Sequence, residues 1–110
     1  MGLFSWFKRK PEPDLKALSY CVPEAIYCAW LWGVRTGDPV RVAVSKVREG
    51  TDHVQAQTQI DGSWRFLTPK WDYEIGRIKV VPWQSHFPAV QPYRYLTLRE
   101  WIDEQIQYVG

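Results

Sequence analysis

The stretch from Asp52 to Leu67 constrains the fold more than any other. Asp52-His53-Val54-Gln55-Ala56-Gln57-Thr58-Gln59-Ile60 alternates its side chains, Asp61-Gly62 is a turn signal, and Ser63-Trp64-Arg65-Phe66-Leu67 follows. A period of two fits a pleated strand and not a helix, and Asp-Gly between two such runs signals a hairpin. His53 therefore opens the first strand of a hairpin. Val40-Arg41-Val42-Ala43-Val44-Ser45-Lys46-Val47 also alternates, is rich in β-branched residues, and predicts a preceding strand, with Arg48 to Thr51 turning the chain toward His53.

Upstream, the pattern changes to helical. Cys21 is followed by Val22-Pro23-Glu24 and by the apolar run Ala25-Ile26-Tyr27-Cys28-Ala29-Trp30-Leu31-Trp32, with Gly33 and Gly37 as candidate terminators. Proline is tolerated in a first helical turn and Glu24 suits the positive end of the dipole, so a helix is predicted to begin at about Cys21. A thiol at that end sits among backbone N–H groups that favour the thiolate, whereas Cys28, two turns on, is expected to be buried and inert. Cys21 is the candidate nucleophile and His53 the candidate base. His86 is a rival base, ranked lower because it lacks the strand and hairpin context.

These residues resemble the transglutaminase-like core of the papain-like cysteine enzymes, in which a Cys-headed helix leads to a glycine, a strand and a His-headed hairpin. The corresponding run is Cys21, Ala25, Gly37-Asp38-Pro39-Val40-Arg41-Val42, His53, Asp61-Gly62-Ser63-Trp64 and Leu67-Thr68-Pro69, about half the chain. The resemblance implies an α+β papain-like core with Cys21 attacking a peptide, isopeptide or glutamine side-chain amide. His53 would relay the proton, and N–H groups near Cys21 would hold the oxyanion. Hydrolysis is the first expectation and transfer to an amine the second. The family's acid would fall at Thr68, where this chain has no carboxylate; either the Thr68 hydroxyl orients the imidazole or Asp72 reaches in. Tyr20, Trp64 and Trp71 are the expected substrate-binding aromatics. The competing expectation is a catalytically degenerate fold that binds a protein or peptide.

The remainder of the chain reads as follows. Residues 1–13 (MGLFSWFKRKPEP) form an aromatic and basic tail with a proline spacer, dispensable for folding and able to make weak membrane-surface or partner contacts; residues 14–110 form the domain. The order of charge and apolar residues is wrong for a secretory signal, Trp6 spoils a myristoylation pattern, and no run is long enough to span a bilayer. Asp14 to Leu18 reads as a short turn or irregular approach. Thr68 to Tyr73 reads as a loop at the cleft rim, Ile78 to Val81 as a strand stopped by Pro82, and Trp83 to Tyr95 as an ordered aromatic loop. Thr97-Leu98-Arg99-Glu100 is a capping-box pattern, and Trp101, Ile102, Gln105, Ile106 and Val109 give a final amphipathic helix packed on the sheet. The resulting expectation is a helix on an antiparallel sheet of about four strands, closed by a C-terminal helix.

Charge and cysteine content narrow the partners. Fourteen basic residues against twelve acidic ones, net +2, do not make a nucleic-acid footprint. The two cysteines are seven apart, about 10 Å along a helix and too far for a disulfide, which fits a reducing, cytoplasmic compartment. No ligand spacing suggests a metal, and no cofactor is expected.

Overall fold

A computed structural model describes residues 20–109. The expectations for the tail of residues 1–13 and for residues 14–18 lie outside the described residues. Helix α1 spans Cys21–Thr36. Gly37, and not Gly33, ends it: Gly37 takes a left-handed φ of 77° and its N–H donates to the Gly33 carbonyl at 2.9 Å. The buried positions Cys21, Ala25, Cys28 and Ala29 recur at helical spacing on one face, and all are small, which lets the helix axis approach the sheet closely.

Five strands follow: β1 (Val40–Arg48), β2 (Thr51–Ile60), β3 (Ser63–Asp72), β4 (Arg77–Trp83) and β5 (Arg94–Leu96). They form one antiparallel sheet in the order β4-β3-β2-β1-β5. The β2–β3 turn is the expected one, with Asp61 and Gly62 both at positive φ (50° and 83°), the signature of a type I′ hairpin. Helix α2 (Leu98–Val109) begins with the reciprocal capping box: Thr97 N–H donates to Glu100 Oε1 at 2.8 Å, and Glu100 N–H donates to Thr97 Oγ1 at 3.0 Å.

Among the described residues two segments expected to be loops are paired: one lengthens β3, and the other is the fifth strand where about four were expected. Thr68 to Asp72 continues β3, held by β4 from Phe66↔Trp83 to Asp72↔Arg77. Pro82 does not stop β4. It is tolerated because β4 is an edge strand and a proline can sit where no ladder donor is needed. Near the end of the expected aromatic loop, Arg94 to Leu96 pairs with β1 as the other edge.

The core lies between α1, α2 and one face of the sheet. Cys21, Ala25, Val42, Val44, Val54, Leu96 and Trp101 form one cluster; Cys28, Ala29, Ala56 and Leu67 form the second. Ile106, expected on the apolar face of α2, is 63% exposed. No helix among the described residues is long and apolar enough to cross a membrane.

Candidate functional site

Strand alternation decides where His53 goes. Val54 faces α1 in the core cluster and pairs with Val44, so His53, its neighbour in a regular part of the ladder, leaves the sheet on the opposite face. There it is 2% exposed, with its ring 4.8 Å from that of Phe87 in an edge-on packing. Its Nε2 lies 3.2 Å from Nδ1 of His86. His86 Nε2 in turn lies 3.2 Å from Thr68 Oγ1. The three side chains thus form a continuous chain, Thr68–His86–His53, drawn from β3, the β4–β5 loop and β2.

Gln55 holds this arrangement. Buried two residues after His53, it accepts from the His86 N–H at 2.8 Å and donates to the carbonyls of Leu67 and Gln84, both at 3.3 Å. One amide thereby ties β2 to β3 and to the loop that carries His86. The far end of the loop is fixed by Tyr93, whose N–H donates to the Val44 carbonyl and whose hydroxyl donates to Asp52, both at 2.9 Å.

Cys21 opens α1 as expected but is 8% exposed within the apolar cluster on the helix side of the sheet. Both cysteines are free thiols. Burial, with a further contribution from the Glu24 carboxylate, pushes the Cys28 thiol up to about 12.

A cleft of about 360 Å³ opens beside the histidine chain. The β2–β3 ladder runs only from Ile60↔Ser63 to Gln57↔Phe66, and beyond it the two strands part. Tyr20 and Glu24 from the start of α1 face this gap across Thr68, Pro69, Lys70 and Trp71 of β3, with Ile78 and His86 completing the walls. The two prolines fix which backbone groups point into it. Pro69 and Pro82 lack the N–H that a hydrogen-bonded antiparallel pair exchanges, so Pro69↔Val80 and Leu67↔Pro82 are non-bonded pairs. Leu67, Pro69 and Trp71 therefore direct their backbone groups away from β4, toward the gap. The Leu67 carbonyl is taken by Gln55. Among the described residues no strand pairs with Pro69 and Trp71 on this side.

The other expected site residues separate into two groups. Tyr20, Thr68 and Trp71 line the cleft. Trp64 does not: it stacks on the Arg41 guanidinium, 3.9 Å from the ring centre, while Tyr95 covers Arg41 at 3.8 Å. Asp72 ends β3, with Oδ2 3.3 Å from Lys79 Nζ and Oδ1 accepting from the Glu74 N–H at 2.9 Å. Desolvation pushes its carboxyl up, but the Glu74 N–H and Lys79 outweigh that and hold it below the usual value. Neither oxygen bonds to a histidine among the described residues. No group of three or more His, Cys, Asp and Glu is placed to hold a metal ion among the described residues.

Sequence reasoning gave Gln55 no role and ranked His86 second. Gln55 reads as one of three alternating glutamines on a solvated strand face; Gln57 is equally buried, and what sets Gln55 apart is its bonds to the His86 N–H and the Leu67 and Gln84 carbonyls. No protein-family model, curated protein or solved structure matches this chain.

Proposed function

We propose that this domain is a peptide-binding module on a transglutaminase-like scaffold, with its cleft receiving an extended segment and its thiol not in use. The observation that carries the reading is the inner edge of β3, where no strand pairs with Pro69 and Trp71 among the described residues. Pro69 presents a carbonyl, and Trp71 an N–H and a carbonyl, to the gap where β2 and β3 part. An extended peptide can donate to Pro69 and exchange two hydrogen bonds with Trp71, while its side chains meet the aromatic surfaces of Tyr20 and Trp71 and the charges of Glu24 and Lys70. Main-chain pairing of this kind supplies affinity without chemistry. The separation of Cys21 from His53 by the sheet supports the view that the pair does not act as thiolate and imidazolium.

The test titrates the ¹⁵N-labelled protein with the acetylated, amidated peptide Ala-Ala-Gln-Ala-Ala. The Trp71 N–H should shift and become protected from exchange. If residues 69–71 do not respond at millimolar peptide, the reading is wrong.

A cysteine hydrolase or acyltransferase acting on a peptide, isopeptide or glutamine amide is the second reading. It is favoured by the position of Tyr20 and Glu24, which flank Cys21 and line the same cleft as His86. Iodoacetamide separates the two. Under the binding reading, His53→Ala leaves the Cys21 alkylation rate within about twofold. A thiolate pair would lose about tenfold or more, because the thiolate fraction depends on the imidazole.

A further inference from the structure

The chain Thr68–His86–His53 has the order of a nucleophile, its base and the group that orients the base. We propose that Thr68 Oγ1 is an acyl-accepting nucleophile, with His86 as its general base and His53 as a positioning residue, acting on ester-linked acyl groups bound in the cleft. The inference rests on the peptide-binding reading only in taking the cleft as the place where substrate lies.

Three observations meet here. The distance from Thr68 Oγ1 to His86 Nε2, 3.2 Å, is within reach of proton transfer, and His86 Nδ1 lies 3.2 Å from His53 Nε2. One tautomer set satisfies both contacts in the productive sense: the Thr68 hydroxyl donates to His86 Nε2, and His86 Nδ1–H donates to His53 Nε2. Thr68 and His86 both line the cleft, so the residue that carries the hydroxyl and the residue that carries its base border the same space. Finally, the base is held from its backbone, since the His86 N–H is bound by the buried Gln55. A hydroxyl is a weak nucleophile at its ordinary acidity and needs such a neighbour.

The step balances without a further reactant. Thr68 Oγ1 forms a bond to the ester carbon as its proton passes to His86 Nε2. The tetrahedral intermediate expels the alcohol, which takes that proton. Water then attacks the acyl-Thr68 ester, loses a proton to His86, and restores the hydroxyl as the carboxylic acid leaves. During each transfer His53 accepts from His86 Nδ1–H and keeps Nε2 turned to Thr68. The alkoxide of an ester leaves more readily than the nitrogen of an amide, so a hydroxyl nucleophile with an imidazole base is matched to activated esters.

The full-length protein is incubated with p-nitrophenyl acetate, release of nitrophenolate is followed, and the acetylated residue is located by peptide mass spectrometry. Acetyl is expected at position 68. Thr68→Val should lower the rate by about a hundredfold or more, whereas Thr68→Ser, which keeps the hydroxyl, still acylates at position 68. The rate should rise with pH to a plateau, because His86 must be neutral to take the proton; among the described residues Glu24 and Lys70 are the charged side chains of the same cleft. His53→Gln should displace the midpoint of that profile, which a merely space-filling His53 would leave in place. Acetyl confined to Cys21 or Lys70, or a Thr68→Val variant as fast as the parent, overturns the proposal. If Thr68→Val does not fold, absence of acylation at position 68 in Thr68→Ser overturns it equally. A Trp71 N–H that responds to peptide while position 68 stays unacylated defeats this inference alone. Acylation at position 68 without a peptide response defeats only the binding reading.

Discussion

Pro82 of β4 faces Leu67 of β3 in a pair that requires no ladder hydrogen bond from the proline. Its ring therefore lies where an N–H would point away from β3, on what is an edge of the sheet among the described residues. An edge strand with a gap in its row of donors is a poor template for another chain. Pro82→Val should restore the donor, leave the melting temperature within a few degrees, and increase association on concentration. Light scattering checks this, and an unchanged monomer at high concentration would count against an edge-protecting role.

Gln55 is the second position where one side chain answers for several backbone groups. Gln55→Leu strands the His86 N–H and the Leu67 and Gln84 carbonyls. The expected cost is about 2–3 kcal/mol, mostly from unpaired polar groups. Urea denaturation measures it, and amide exchange at His86 should quicken by more than that at Val42, in the core. Equal changes at both would mean that Gln55 only contributes volume.

For Cys28, a thiol pushed up to about 12 is about one part in ten thousand thiolate at pH 8. Iodoacetamide should leave it unmodified in the folded protein and label it once guanidinium unfolds the chain. Labelling of Cys28 in the native state at a rate comparable with a free thiol would show that α1 opens far more readily than its packing implies.

The capping box makes α2 sensitive to acid. Backbone and hydroxyl donors at Thr97 hold the Glu100 carboxyl below its ordinary value. A carboxyl that is depressed in the folded state contributes stability above its unfolded pKa, about 4.3, and loses it as pH falls through the folded value. Glu100→Gln should therefore flatten part of the stability profile below about pH 4.5. Thr97→Ala should cost about 1 kcal/mol at neutral pH through the lost cap. Melts from pH 3 to 7 decide it, and parallel profiles for parent and Glu100→Gln would refute the assignment.

Features that depend on neighbours in sequence were legible in advance. The hairpin at Asp61-Gly62 needs positive φ at adjacent positions. The helix from Cys21 has Pro23 in its first turn and acidic Glu24 at the positive end of its dipole, and the Thr97–Glu100 box closes over three residues. Each is decided by interactions within about four positions, which sequence displays directly. The boundary at Gly37 instead of Gly33 is the exception inside this group, because both glycines permit the same terminus and packing selects one.

The site itself belonged to the tertiary structure. His53 could be placed at a strand start, but the face on which its side chain leaves depends on which neighbours pack under α1, and Val54 took that side. His86 meets His53 across thirty-three positions through a loop with no regular pattern of its own. Thr68 to Asp72 reads as a mixed, proline-containing loop until β4 supplies partners at alternate positions that spare both prolines. Gln55 looks solvated until β3 and the β4–β5 loop close over it. The sequence by itself determined the helix at Cys21, the hairpin and the final capped helix, since local dihedral preference and periodicity suffice for those. Only the tertiary structure decided that Cys21 and His53 lie on opposite sides of a sheet and that Thr68 joins His86, because long-range pairing fixes register and face together, and neither is written in any short segment.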